Sequence, residues 1–122
     1  MKHSPAFLKL VNDTKSRVRQ IMSEEVKAKL DRREKFVLVD VREDREWSKG
    51  HIVRAIHLGR GIIERDIASK IPNRRSQIVL YCRGGFRSLL SADNLQKMGY
   101  KNVVSMEGGW KRWRKLGYPT KG

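Results

Sequence analysis

Residues 77–88 read Gln77-Ile78-Val79-Leu80-Tyr81-Cys82-Arg83-Gly84-Gly85-Phe86-Arg87-Ser88. Gln77 to Tyr81 has the length and apolar run of a strand buried on both faces, and it ends at a thiol. Gly84 and Gly85 let the chain fold into a tight loop with little side-chain obstruction. Helical spacing then begins, through Leu89, Leu90, Ala92, Leu95 and Met98, and Gly99 stops it. Strand, loop and a helix over 86–98 are therefore expected in immediate succession. A thiol at the carboxyl end of a buried parallel strand stands on the rim where open α/β sheets place their ligands. The free N–H groups of the helix start point back into the loop and make an anion cradle. Arg83 and Arg87 add positive charge, and such a setting favours the thiolate. Cys82 is the candidate nucleophile. The competing reading, a small buried hydrophobe, does not call for two glycines, two arginines and a helix start beside it.

The neighbouring segments extend the pattern. Phe36-Val37-Leu38-Val39 is a second buried-strand run, closing on Asp40. Residues 52–57 read as one short strand after Gly50, 62–70 as a helix, and Pro72-Asn73 as a turn. Val103-Val104 reads as a further strand. Gly108-Gly109 turns into a last helix over 110–116, which Gly117-Tyr118-Pro119 ends. Nearer the start, Ser23 is expected to cap a helix that ends near Arg32-Arg33, with Glu24 and Glu25 suiting its dipole. Pro5 behind Ser4 suits a first helical turn. Phe7, Leu10, Val11, Val18 and Ile21 recur near helical spacing, so residues 5–19 are expected to form one amphipathic helix. Packing on the core is its plain role; a basic membrane-surface or partner helix is the sharper alternative. Strands that alternate with helices argue an α/β domain, a mostly parallel sheet covered on both faces.

The 122 residues suit one domain, with no repeat, low-complexity tract or linker. A chain of this size hides about 65% of its unfolded surface, enough for a core without disulfides or a structural metal. Its one cysteine excludes a disulfide within the chain and a cysteine-only metal site. His3, His51 and His57 lack zinc-type spacing. No stretch approaches a membrane span, and the first residues lack the apolar region of a signal peptide. The expectation is a cytoplasmic protein with a reduced thiol. Lys and Arg number 28 against 13 Asp and Glu, a net charge of +15, which calls for anionic partners.

Five blocks in register resemble the single-domain rhodanese, or sulfurtransferase homology, family. They are Asp40-Val41-Arg42-Glu43 with Glu46-Trp47; Gly50-His51-Ile52-Val53-Arg54-Ala55-Ile56-His57; the loop from Cys82 to Ser88; Gly99-Tyr100-Lys101-Asn102-Val103; and Glu107-Gly108-Gly109-Trp110. The resemblance implies a rhodanese-type domain over 21–120, preceded by a helical extension over 1–20. It implies a ping-pong sulfur transfer in which Cys82 takes the outer sulfur of thiosulfate or a similar small anionic donor. Sulfite leaves, and the resulting persulfide passes its sulfur to cyanide or a thiol. The loop Arg83-Gly84-Gly85-Phe86-Arg87-Ser88 would hold the anion, and no metal or organic cofactor is implied. Arg87 stands five positions after Cys82, whereas cysteine phosphatases of a related fold place it six after. The shorter loop favours a sulfurtransferase over a phosphatase or arsenate reductase. A persulfide carrier or regulatory interaction module without turnover is the alternative of another class.

Two departures from the family pattern stand out: Phe86, a bulky apolar residue inside the loop, and Val53-Arg54 where the family often has Pro-Gly. Phe86 is expected to narrow the pocket or offer the substrate an apolar edge, and the turn at 53–54 to differ.

The supporting residues carry two readings. Asp40 either accepts N–H bonds at a strand end or sits at the mouth of the site. Arg42 and Glu46 are expected to pair with each other. His51 and His57 are expected to be structural, and Trp47, Trp110 and Trp113 to be core. Lys111-Arg112-Trp113-Arg114-Lys115 outlines an RNA or acidic-protein contact, although a solvated helix face is the plainer account.

Overall fold

The computed structural model describes residues 3–122. In chain order its elements are α1 (Pro5–Thr14), β1 (Arg19–Ile21), α2 (Ser23–Asp31), β2 (Val37–Asp40), α3 (Asp44–Ser48), β3 (His51–Ile52), β4 (Ile56–His57), α4 (Ile63–Lys70), β5 (Ile78–Tyr81), α5 (Phe86–Lys97), β6 (Val103–Met106), α6 (Gly109–Lys115) and β7 (Thr120–Lys121). A five-stranded sheet runs in the order β1-β6-β5-β2-β4, parallel throughout. β3 and β7 pair antiparallel as a separate small ribbon.

The apolar runs explain the layering. Side chains alternate across a strand, so Ile78, Leu80 and then Cys82 face one side of the sheet, packed with residues of α1, α4 and α5. Val79 and Tyr81 face the other, packed with Val26 and Leu30 of α2 and Trp113 of α6. Both faces of β5 are sealed, and its carboxyl end delivers Cys82 directly into the loop before α5. The α/β architecture is the one expected. Among the described residues, no helix is long and apolar enough to cross a membrane.

Several local expectations need correction. The first helix stops at Thr14, well short of residue 19. The Thr14 hydroxyl donates to the Val11 carbonyl, and the chain turns through residues 15–18. Residues 19–21 then extend the sheet beside Val104–Met106. The β-branched Val18 and Ile21 thus belong to the entry into a strand, where ladder bonds outweigh local helical spacing. α2 is preceded by Met22 at the cap position, and the Ser23 hydroxyl is buried without a hydrogen-bond partner. The expected strand over 52–57 is broken in two. Arg54 takes φ +66°, and the Ala55 N–H donates to the Ile52 carbonyl, so the two halves join different sheets. α3 and β7 are additions to the expected elements.

The N-terminal helix lies against α5, burying Val11 and Thr14. Just beyond it, the Arg17 guanidinium holds the Asp93 carboxylate of α5 in a two-pronged pair at 3.0 and 3.1 Å.

Candidate functional site

Cys82 is 1% exposed, at the floor of a cavity of about 640 Å³. The backbone N–H of Gly85 donates to its Sγ at 3.1 Å. Gly85 takes φ +104°, which turns the chain into α5 and aims that N–H inward. From beneath, the Ser88 hydroxyl lies 3.5 Å from Sγ and 2.7 Å from the hydroxyl of Ser105 on β6. Ser88 therefore braces the loop from the core side and does not face the cavity. Ser105 is a neighbour of the thiol that sequence reasoning missed, since a serine inside an apolar strand carries no motif.

A second support comes from α6. The Trp110 N–H donates to the Cys82 carbonyl at 2.8 Å and the Lys111 N–H to the Arg83 carbonyl at 3.0 Å. This approach needs Gly109, at φ +57°, because a Cβ there would overlap both of those carbonyl oxygens. The Gly108-Gly109 block is thus an abutment for the thiol loop as well as a helix start.

Arg83, Gly84, Phe86 and Arg87 line the cavity with Cys82. The Arg87 guanidinium, however, is engaged by Glu46 of α3, with Nη1 and Nη2 donating at 2.7 and 3.0 Å. Arg87 beside it, and then the Glu43 N–H, hold the Glu46 carboxyl down at about 2 from an ordinary 4.5. The expected Arg42–Glu46 pair is replaced. Arg42 instead grips Asp40 through Nε and Nη2 at 2.8–3.0 Å, and its Nη2 also donates to the Gly50 carbonyl at 2.7 Å. Asp40 further accepts the Arg42 N–H at 2.9 Å. The Arg42 fork is thus spent on its own strand end, and its Cζ lies over the Trp110 ring, 4.6 Å from the centroid. Asp40 is fully buried and is not part of the cavity lining, so it organises the strand end and does not stand at the mouth.

His51 and His57 stack on Trp47, with ring centroids 3.5 and 5.0 Å away. His57 Nε2 lies 2.7 Å from the Arg42 carbonyl. Both lie outside the cavity lining, in keeping with a structural role. Of the three tryptophans only Trp113 is fully buried; Trp47 and Trp110 are half-buried. The buried Trp113 removes the interleaved aromatic from the basic run 111–115, so that run offers no stacking platform. Arg112 in the same run pairs with Glu24 at 2.8 Å. Lys111 lines the cavity, as do Arg45, Arg60, His3 and Phe7, none of which the sequence singled out for the site. They come from four separate segments, and only the fold brings them together.

A rhodanese-like domain model matches residues 22–116. The chain belongs to the rhodanese-like family. The rhodanese-like domain is 35% identical to a sulfurtransferase of Allochromatium vinosum over 102 residues, covering 84% of this chain and 94% of that protein. It is 31% identical to Bacillus subtilis YrkF over 102 residues, covering 84% of this chain and 54% of YrkF, so the chain spans about half of that longer relative. Among solved structures, a Rhodopseudomonas palustris protein of unknown function, described as a possible tyrosine phosphatase, superposes with a TM-score of 0.84 at 26% identity. That superposition covers 99% of this chain and 98% of the other, so it includes the N-terminal helix.

Proposed function

We propose that this rhodanese-like domain is a sulfurtransferase that carries a sulfane sulfur on Cys82, taken from thiosulfate or a similar small anionic donor. The Cys82 thiolate attacks the outer sulfur. A new S–S bond forms at Sγ, the bond to the sulfonate sulfur breaks, and sulfite leaves with the electron pair. A thiolate or cyanide then attacks the outer sulfur of the persulfide and releases Cys82 as thiolate. Covalent catalysis of this kind divides one difficult transfer into two easier ones.

The observation that carries the reading is the Gly85 N–H directed at Sγ at 3.1 Å, at the floor of a cavity lined by Arg83, Arg87 and Lys111. A donor aimed at a sulfur anion stabilises it without reorganisation. Arg87, locked to Glu46, holds the wall, while Arg83 and Lys111 are exposed and available to the departing sulfite. The loop count also supports sulfur over phosphate: Arg87 is five residues after Cys82, one residue short of the phosphatase loop.

Intact mass after incubation with thiosulfate tests the proposal. One added sulfur atom is expected, removed again by cyanide, and Cys82→Ser abolishes both the gain and turnover. Turnover that persists in a clean Cys82→Ser preparation refutes the mechanism. Hydrolysis of an aryl phosphate with no sulfur uptake would favour phosphatase chemistry instead.

A further inference from the structure

The cavity over Cys82 has two chemically different walls. Arg45, Arg60, Arg83 and Lys111 are cationic and exposed. Opposite in character are three rings from two parts of the chain: His3 just before α1, Phe7 in it, and Phe86 at the start of α5. Their centroids lie close, His3–Phe7 at 5.1 Å, His3–Phe86 at 5.1 Å and Phe7–Phe86 at 6.1 Å, with tilted planes. Phe7 and Phe86 are half-buried and pack on the core cluster that contains Leu89 and Val11, so the rings are held in place while keeping a free edge. Two of the three come from chain ahead of the residues matched by the family model, 22–116.

Inorganic thiosulfate has no use for such a wall. It needs only cations and N–H donors, and it occupies a small part of a cavity of about 640 Å³. Volumes of several hundred Å³ are those of sites for organic ligands, which bury an apolar body and orient a polar end with a few placed groups. Aromatic rings with exposed edges offer that apolar contact in tilted or offset geometry.

Resting on the sulfurtransferase reading, we propose that Phe7 and Phe86 select the donor: an organic sulfane-sulfur anion with an aromatic or bulky apolar body, of the thiosulfonate type. The reactive end R–SO2–S⁻ meets the cations and the loop, and R lies against the rings. The step balances as before. The Cys82 thiolate forms an S–S bond to the terminal sulfur, the bond to the sulfonyl sulfur breaks, and the sulfinate R–SO2⁻ leaves with the electron pair. The N-terminal helix is then a specificity element of the site as well as a packing arm.

The test compares two donors with the same reactive end, benzenethiosulfonate and methanethiosulfonate, in the full chain, alongside thiosulfate. The readout is the ratio of their kcat/KM values with cyanide as acceptor. The wild type is expected to prefer the phenyl donor, and Phe7→Ala to lower that preference about tenfold, within the range a lost apolar contact gives. Phe7→Leu, which keeps packing volume but removes the ring, should lower it in the same direction at an unchanged melting temperature, so loss of folding cannot imitate the result. Phe86→Leu should do the same. A wild-type ratio near one overturns the inference. So does a change in both donors by the same factor, which would make the rings a cover over the pocket. Absence of sulfur transfer from all three donors would instead refute the sulfurtransferase reading itself.

Discussion

Glu46→Gln separates the structural work of the α3–loop ion pair from its charge. In the wild type, the Arg87 fork donates twice to the Glu46 carboxylate, at 2.7 and 3.0 Å, and the Glu43 N–H donates to it at 3.1 Å. The two side chains keep 28% and 23% of their surface exposed, so water screens part of the attraction. After that screening, the pair contributes about 1–2 kcal/mol, above an open surface pair and below a fully buried one. For a domain of this length, that is a melting-temperature loss of about 4–8 °C at pH 7. The sign with pH follows from Glu46, whose carboxyl sits at about 2 when folded against an ordinary 4.5. A carboxyl lowered in the native state stabilises above its unfolded value, and that gain is lost as pH falls from about 4.5 towards 2. The gap between wild type and Glu46→Gln should therefore be full at pH 7 and pH 6. It should shrink by roughly half by pH 3. Melting curves of both proteins across that range are the assay. A gap of constant size from pH 7 to pH 3, or none at pH 7, refutes the ion-pair account. Arg87→Ala combined with Glu46→Gln should cost less than the sum of the two single losses, because both remove the same pair.

Gly109→Ala should be among the most damaging small changes: it asks alanine for φ +57° and drives a Cβ into the Cys82 and Arg83 carbonyls. The left-handed backbone alone costs about 1–2 kcal/mol, and displacement of the loop should remove sulfur uptake by mass even in the folded fraction. Asp40→Asn leaves the buried Arg42 guanidinium without its counter-charge and should lower stability by about 3–5 kcal/mol, read as the shift of a urea midpoint; a midpoint within error of wild type would contradict the buried pair.

The parts of the fold that were legible in the sequence are those where one local signal is also the tertiary one. The run 78–81 is apolar because both faces of β5 are covered, and Gly85 is glycine because the helix entry needs φ +104°. Signal fails where pairing partners are distant. Residues 19–21 become a strand only because Val104–Met106 offers an edge, and nothing local distinguishes Val18 and Ile21 from a helical face. Ile52 and Ile56 look like one strand until Arg54 adopts a left-handed turn usually left to glycine. The expected Arg42–Glu46 pair fails for a similar reason. Arg42 and Glu46 are four apart and look like neighbours, but α3 begins only at Asp44, so no helical turn joins them. Each finds its partner elsewhere, one two residues back and the other on α5.

Charge shows the same division between composition and arrangement. The excess of +15 says that an anion is wanted somewhere, without saying where. In the folded chain many of the acids are consumed in pairs away from the site, Asp93 by Arg17, Glu34 by Lys29 and Arg32, Asp66 by Arg65, Glu24 by Arg112. Among the described residues, Arg45, Arg60, Arg83 and Lys111 make no ion pair, and they gather at one cavity. Glu46 is neutralised there by Arg87, so Glu43 is the one acid of that lining left to oppose them. Cations lining a concave wall of low dielectric concentrate field more than the same charges on a convex surface. On the sulfurtransferase reading proposed above, this local excess, and less the total, would draw an anionic sulfur donor to a thiol that is itself 1% exposed.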